Sequence, residues 1–303
     1  MSRPERQDGV ALITVLWALV ILAVMVTSMT GSVRRESQAL FHAEAAVRTA
    51  EAARGAANLV IHSLLEENRD AWAHPADSQW RAFDFGGGRA WITVRPLRSL
   101  VDLNYADGTF IEGLLVAVGA GSDRAAMLSD SILDWRDTSD ARRALGATDA
   151  EYQALGRRYG RRNGDFETID ELQMVYGMTP EIWQRLAPWI TVHGEAAVPD
   201  PAAAGAPVLA AFPGHDVESV RQWAEQRDYQ VAQGGSPPAF PGGSGSGGQA
   251  NRFRIDVLLD REVSRARVSV TVEIHSGSDP AFRVLAWRDP AEPWPDEPGR
   301  GGT

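Results

Sequence analysis

The chain has 303 residues, 30 basic against 40 acidic, for a formal net charge of −10. All 30 Lys-plus-Arg positions are Arg, which excludes a P-loop lysine, a Schiff-base lysine and a kinase-type lysine. There is no Cys, so disulfides, thiolate metal sites and cysteine nucleophiles are excluded too.

The first nine residues, MSRPERQDG, form a short polar leader ending in Gly9. From Val10 to Val33 no residue is charged. As a helix this run reaches about 36 Å at 1.5 Å per residue, against a hydrocarbon core of roughly 30 Å. A single membrane span over 10–33 is therefore predicted. The run is too long for a cleaved secretory signal, and no A-x-A site follows it. The leader is only weakly positive and Arg34 and Arg35 lie beyond the span, so charge leaves the orientation open.

Residues 34 to 68 lack Pro, and Leu40, Ala43, Val47, Ala50, Ala53 and Ala57 recur at helical steps. An amphipathic helix continuing the span is predicted. After a loop at 74–78, Trp80–Phe85, the glycines 86–88 and Ala90–Arg95 read as a hairpin. From 100 to 193 the pattern is of short helices with polar breaks. Two helices flank GAGSD, and a helix-turn-helix is centred on Gly177, with Thr179 as N-cap and Pro180 at the first helical position. Residues 194–250 are loose in composition, with a short helix at 217–227 and a Pro/Gly-rich end, and are expected to be a flexible loop. The segments FRIDVLLD, RARVSVTVEIH and AFRVLAWR in 251–289 alternate with charged outward positions, as in an antiparallel meander; a tail, 290–303, follows. The order predicts an α+β fold with a helical domain, 100–193, inserted between 34–99 and 251–289.

Acidic residues are dense around DWRDTSD: Asp134, Asp137 and Asp140, then Asp149, Glu151 and Asp165. A hard cation such as Ca²⁺ takes six to eight oxygens, which such clusters supply, although the spacing is not that of an EF-hand. Helix caps and solvated acids are the competing reading. The hairpin at Gly177 is similar to helix-hairpin-helix modules that hold DNA phosphates, and Arg157, Arg158, Arg161 and Arg162 lie nearby. The net charge of −10 and the single Gly in that hairpin argue against nucleic acid. DFG at Asp84–Gly86 has no kinase partners, the six His show no metal spacing, and no Ser occupies a nucleophile elbow. No enzyme is expected. Trp135, Trp183 and Trp189 are read as core residues, with some aromatics at subunit contacts.

The leader ending in Gly9, the apolar helix running into a soluble one, and LVDLNYADGTFIEGLL, SILDWRDTSD and RRNGDFETIDELQMVYGMTPEIWQRLAPWITV together resemble the protein K family of minor pseudopilins of the type II secretion system. The resemblance implies a type IV pilin-like fold, a long N-terminal helix plus antiparallel sheet, carrying an inserted all-α domain of helix-hairpin-helix or SAM-like type. It implies cleavage between Gly9 and Val10 by prepilin peptidase, N-methylation of Val10, a span of the inner membrane and a soluble part in the periplasm. Implied partners are the minor pseudopilins I and J, the major pseudopilin and secreted proteins. Most pilins carry Glu at the fifth mature position, where its carboxylate meets the α-amino group of the preceding subunit; here that position is Thr14. A buried carboxylate needs such a partner, and a tip subunit has none above it. The resemblance thus implies a place at the pseudopilus tip and a role in its assembly. Some members of the family hold Ca²⁺ in the helical insert, but the Glu that the family favours in the GAxD segment is Thr148 here. A membrane-anchored periplasmic module that binds exported proteins directly is the alternative function.

Overall fold

The computed structural model describes residues 8–66, 80–139, 141–194, 196–241, 243, 251–275, 277–290, 294 and 297–298, with the backbone alone at 8–11, 26–37 and 232. The expected leader (except residues 8 and 9), the loop at 74–78 and most of the tail lie outside these residues.

Helix α1 runs unbroken over Asp8–Leu65, 58 residues. The apolar run and the amphipathic stretch are therefore one helix, as a sequence without internal Pro allows. The ion pairs Glu44–Arg48 (2.6 Å) and Glu51–Arg54 (2.8 Å) form on its surface. Its later half buries Ala53, Ala56, Ala57, Val60, Ile61 and Leu64 against a five-stranded antiparallel sheet. The three alanines let the helix axis lie close to the strands.

The strands are β1 (Arg81–Phe85), β2 (Gly88–Pro96), β5 (Arg252–Arg261), β6 (Ser264–Ile274) and β7 (Phe282–Arg288), in the order β1-β2-β5-β6-β7. Ile92, Ile255, Val257, Val268, Val270 and Val272 alternate onto the α1 side and are fully buried. The β1–β2 turn needs glycine. Gly86 and Gly87 have φ of 59° and 75°, the paired left-handed residues of a tight hairpin. A Cβ on Gly88 would stand 2.4 Å from the Asp260 carbonyl oxygen.

Between β2 and β5 the chain builds a helical block. It starts and is gathered by a two-residue parallel ladder, β3 (Val101–Asp102) with β4 (Ile190–Thr191). Asp102 locks this neck by accepting from the amides of Asn104 (2.8 Å) and Gly194 (2.6 Å). The helices are α2 (Gly108–Ala117), α3 (Ser122–Arg136), α4 (Asp149–Ala154), α5 (Pro180–Leu186), α6 (Ala206–Ala210) and α7 (Val217–Ala232). Leu114, Leu115, Leu128, Ile132, Leu172 and Leu209 form their core, each under 2% exposed. Thr179 caps α5 with Pro180 following, and Gly177 has φ 81°, as the sequence predicts.

Two expectations are corrected. Much of the segment 194–250 is not a loose loop: α6 and α7 add Val208, Leu209 and Val220 to the core of the block, and the residues after each helix add Phe212 and Phe240. Arg227, 3% exposed, ties α7 to the carbonyls of Pro201 (3.1 Å) and Ala204 (2.6 Å). The apolar residues here are too sparse to show a period, and tertiary contact orders them instead. Nor do the charged positions of β5 point to solvent. Arg254 and Asp256 are 5% and 0% exposed, because the helical block lies over that face.

The block sits at one end of the sheet. Arg95 pairs with Arg254 in the ladder, and Arg254 donates to the carbonyls of Ala187 and Ile190 (both 3.2 Å) and to that of Pro188. At the opposite end, the β5–β6 turn touches α1, where Ser264 donates to the Ala45 carbonyl (3.2 Å). The block is thus at the sheet end far from the apolar half of α1.

Candidate functional site

Three surfaces carry the expected chemistry. The first is the start of α1. Gly9 and Val10 have helical backbone. Residues 12–25 are exposed throughout, with Leu12 75%, Trp17 63% and Met25 67% accessible, and Thr14 lies on this stretch. A continuous apolar helix surface of this kind needs a non-aqueous neighbour. Among the described residues no helix meets the length and hydropathy needed to cross a membrane; the side chains of 26–37, part of the apolar run, are not among them.

The second surface is the acidic cluster. Asp134 is fully buried at the end of α3 and accepts from Arg143 Nη1 (2.7 Å) and the Arg143 amide (3.3 Å to each oxygen). Gly146 makes room for it, since a Cβ there would be 1.9 Å from Asp134 Oδ2. Asp137 takes the Ser139 amide (2.9 Å) and Arg143 Nη1 (3.3 Å); the Ser139 hydrogen bonds hold its carboxyl below the usual range. Asp149 accepts from the Arg161 amide (2.8 Å). Glu151 pairs with Arg142 (2.9 Å) and closes a capping box with Thr148 at the start of α4. That bond with Thr148 lowers the Glu151 pKa. Thr148 is thus a helix cap. Asp165 stands apart, in a cleft with Tyr105, His193 and Arg252, and Asp140 lies outside the described residues.

Among the described residues no three acids or histidines are grouped to hold a metal ion. Arginine side chains and backbone amides are the partners of Asp134, Asp137, Asp149 and Glu151. Three arginines of the basic cluster have partners too. Arg162 pairs with Glu171 (3.0 Å) and with Glu167, Arg161 with Asp149 (3.6 Å), and Arg157 lies over the Tyr159 ring at 5.9 Å.

The third surface, which sequence reasoning missed, is the junction of block and sheet. Arg95 Nη1 (2.9 Å) and Arg254 Nε (3.2 Å) share Asp256 Oδ2, while Ser269 Oγ takes the other oxygen at 2.5 Å. Arg95 also lies over the Trp189 ring at 5.7 Å. Arg252 grips Glu273 through Nε (2.9 Å) and Nη2 (2.8 Å) and donates to the His193 carbonyl (3.1 Å). This grip lowers the Glu273 pKa, and burial pushes His193 down. At the sheet edge Arg288 clasps Asp170 of the block at 2.7 and 2.5 Å. The tail returns over this face: Trp294 packs on Trp80 at 5.3 Å, and Glu297 takes Arg267 at 2.7 and 2.8 Å. The only advance signal was the charge alternation in β5 and β6, which reads equally well as a solvated face.

The junction rigidly joins a helical head to the helix-and-sheet body, and residues 97–195 of that head match the family described as type II secretion system (T2SS), protein K. Type II secretion system protein K of Aeromonas hydrophila is 27% identical over 218 residues, 63% of this chain and 65% of that protein. The Pectobacterium carotovorum subsp. carotovorum protein of the same name is 27% identical over 213 residues, 61% of this chain and 63% of its own. That of Klebsiella pneumoniae is 26% identical over 204 residues, again 61% and 63%. The chain thus spans just under two thirds of the length of these curated relatives. A chain in the crystal structure of the GspK–GspI–GspJ complex from the enterotoxigenic Escherichia coli type 2 secretion system aligns with a TM-score of 0.52 at 18% identity. The alignment covers 87% of this chain and 99% of that one. Likeness at that identity concerns fold alone, mixed helix and antiparallel sheet. The motif resemblance is matched by the family model and by the curated relatives: this chain is similar to type II secretion system protein K.

Proposed function

We propose that the chain is a minor pseudopilin of a type II protein secretion system, standing at the tip of a periplasmic pseudopilus and contributing to its assembly and to protein export. In this reading the body has the type IV pilin-like fold and the helical block is a domain inserted into it. The apolar half of α1 anchors the chain in the inner membrane by a single pass before assembly and lies in the fibre core afterwards. Prepilin peptidase removes the leader after Gly9 and methylates Val10. Minor pseudopilins I and J are its neighbours, with the major pseudopilin below.

One observation carries the tip assignment. The helical block caps the sheet end far from the exposed apolar half of α1, so a further subunit stacked along the helix direction would collide with it. Thr14, uncharged, needs no α-amino partner from a subunit above. The arginine-clamped junction supports the same reading, since a cap must hold its position.

Pseudopili sheared from cells, with this chain gold-labelled through an epitope, should carry label at one end only. Label scattered along the fibre sinks the tip assignment. Mass spectrometry of the membrane form should find a chain beginning at methylated Val10, and Gly9→Val should retain the leader; processing unchanged by Gly9→Val sinks the peptidase step. Should the full chain in detergent capture exported proteins but neither pseudopilin I nor J, the direct cargo-binding function replaces this one.

A further inference from the structure

The two ends of the sheet's strand order are unequal. β1 has five residues, and Trp80 just before it packs on Trp294 of the tail. β7 has seven residues, FRVLAWR, and nothing among the described residues pairs with its outer side. Phe282, Val284 and Trp287 are 36%, 43% and 36% exposed. Their ladder partners Ile274, Val272 and Val270 face α1, so the three form an apolar row beside that helix. An edge this long and apolar, without Lys or Pro, is a template for another strand.

The backbone directions are set by the bond from the His275 amide to the Ala281 carbonyl (2.8 Å). In the alternation of an antiparallel ladder, Arg283 then faces β6 while Phe282 and Val284 turn their N–H and C=O groups outward. Two clefts flank the strand where it meets the helical block. One, of about 480 Å³, is walled by Trp183, Trp287 and Trp294 with Gln173 and Gln184. The other, of about 400 Å³, is walled by Tyr105, His193, Arg252 and Arg283, with Asp165 and Glu167 opposite. Here Arg252, Arg283 and His275 share one buried carboxylate, Glu273, and Glu167 already holds Arg162. Arg283, its side chain 62% exposed, remains within reach of a further carboxylate.

We propose that the free edge of β7 takes up an extended segment of a neighbouring pseudopilin as an added strand. An aromatic or proline side chain of that segment fills the tryptophan cleft and a carboxylate meets Arg283. Strand addition draws affinity from the main chain and specificity from alternate side-chain pockets. Arg283 and Trp287 pair with Glu273 and Val270, three ladder steps apart across a bulge, so the two anchoring side chains stand about 10 Å apart along the guest and on opposite faces of the sheet. A neighbouring subunit is the occupant because the apolar row continues onto α1. Asp289, just past β7, pairs with Arg54 at 2.8 Å, and exposed Val47 and Leu40 lie seven and fourteen residues further down the same helix face. A subunit whose helix packs along that face brings its own sheet to β7.

The inference rests on the pseudopilin reading, and its test separates the two. The full chain is co-expressed with full-length pseudopilins I and J, solubilised in detergent and captured. Val284→Pro removes an outward amide, and Val284→Lys leaves the backbone intact but places a charge on the edge. Both should lower the captured partner at least tenfold, while Val263→Lys in the exposed β5–β6 turn captures as wild type does. Hydrogen exchange at Phe282 and Val284 should slow on complex formation. Undiminished capture by Val284→Lys, or unprotected amides in the complex, overturns strand addition. A wild-type chain that captures neither I nor J overturns the pseudopilin reading instead.

Discussion

Asp256 is the carboxylate on which the junction turns: fully buried, with two guanidinium groups on it and Ser269 holding its second oxygen. Asp256→Ala would leave both cations buried without a counter-charge, and removing one partner of a buried pair costs about 3–5 kcal/mol. Urea unfolding of the full chain in detergent should show that loss in the midpoint. Arg254→Lys should also destabilise, because one ammonium cannot reach the carbonyls of Ala187, Pro188 and Ile190 at once. Acid acts on the same shell. His193 has a lowered pKa through burial, so the unfolded chain binds its proton first. Stability from that group is complete above about pH 6.5 and falls as pH drops below it. Glu273, lowered by Arg252, adds stability that is complete above the ordinary carboxylate pKa of about 4 and is lost as pH falls through its depressed value. Melting temperatures between pH 8 and 3 should therefore decline in two stages, and His193→Gln should abolish the first. None of this shell was legible beforehand. Arg254 and Asp256 stand at outward strand positions, and a sequence does not say what will later cover an outward position.

At the level of elements, local chemistry spoke clearly where it was local. Three consecutive glycines meant a hairpin, and Thr179-Pro180 after Gly177 meant a helix start; both stand as read. Thr148 was harder. Its place in an acid-rich stretch suggested a ligand set missing one member, whereas its hydroxyl and Glu151 cap α4 reciprocally. Thr148→Ala should cost about 1 kcal/mol, the usual value of such a cap, measurable by chemical denaturation. The ladder of β3 and β4 was invisible, since two residues carry no period. Helices α6 and α7 were obscured for a different reason. Their apolar residues are few and separated by Ala, Pro and Gly, and only the aromatic stack of Phe212, Trp223 and Phe240, with centroids about 5 Å apart, gathers them.

For the molecule as a whole, the order of helix, hairpin, helical block and meander was readable because each change of hydrophobic period is long. The docking of block on sheet was not, because it depends on arginines reaching across to residues 59 and 64 positions away in sequence. The tail belongs to that docking. Removing residues 291–303 deletes Trp294 and Glu297, uncovering Trp80 and leaving Arg267 without its carboxylate. The truncated chain should melt several degrees lower with tryptophan emission shifted to the red; an unchanged spectrum would mean that Trp80 does not depend on the strap.

Helix α1 has a mechanical consequence. Its 58 residues give an unbroken rod of about 87 Å, with no proline at which it could hinge. An axial thrust delivered to the apolar half therefore travels undiminished to the sheet. There it must be passed on in shear, across a seam of three alanines and three larger aliphatic side chains backed by the Ser264 and Arg54 contacts. The arginine forks would then carry the load into the head, so a displacement of the base would become a translation of the whole front. The weakest member of that load path is the alanine seam. Widening it with one bulky residue at Ala57, now fully buried, would weaken the grip of the sheet on the rod before either rod or head gave way.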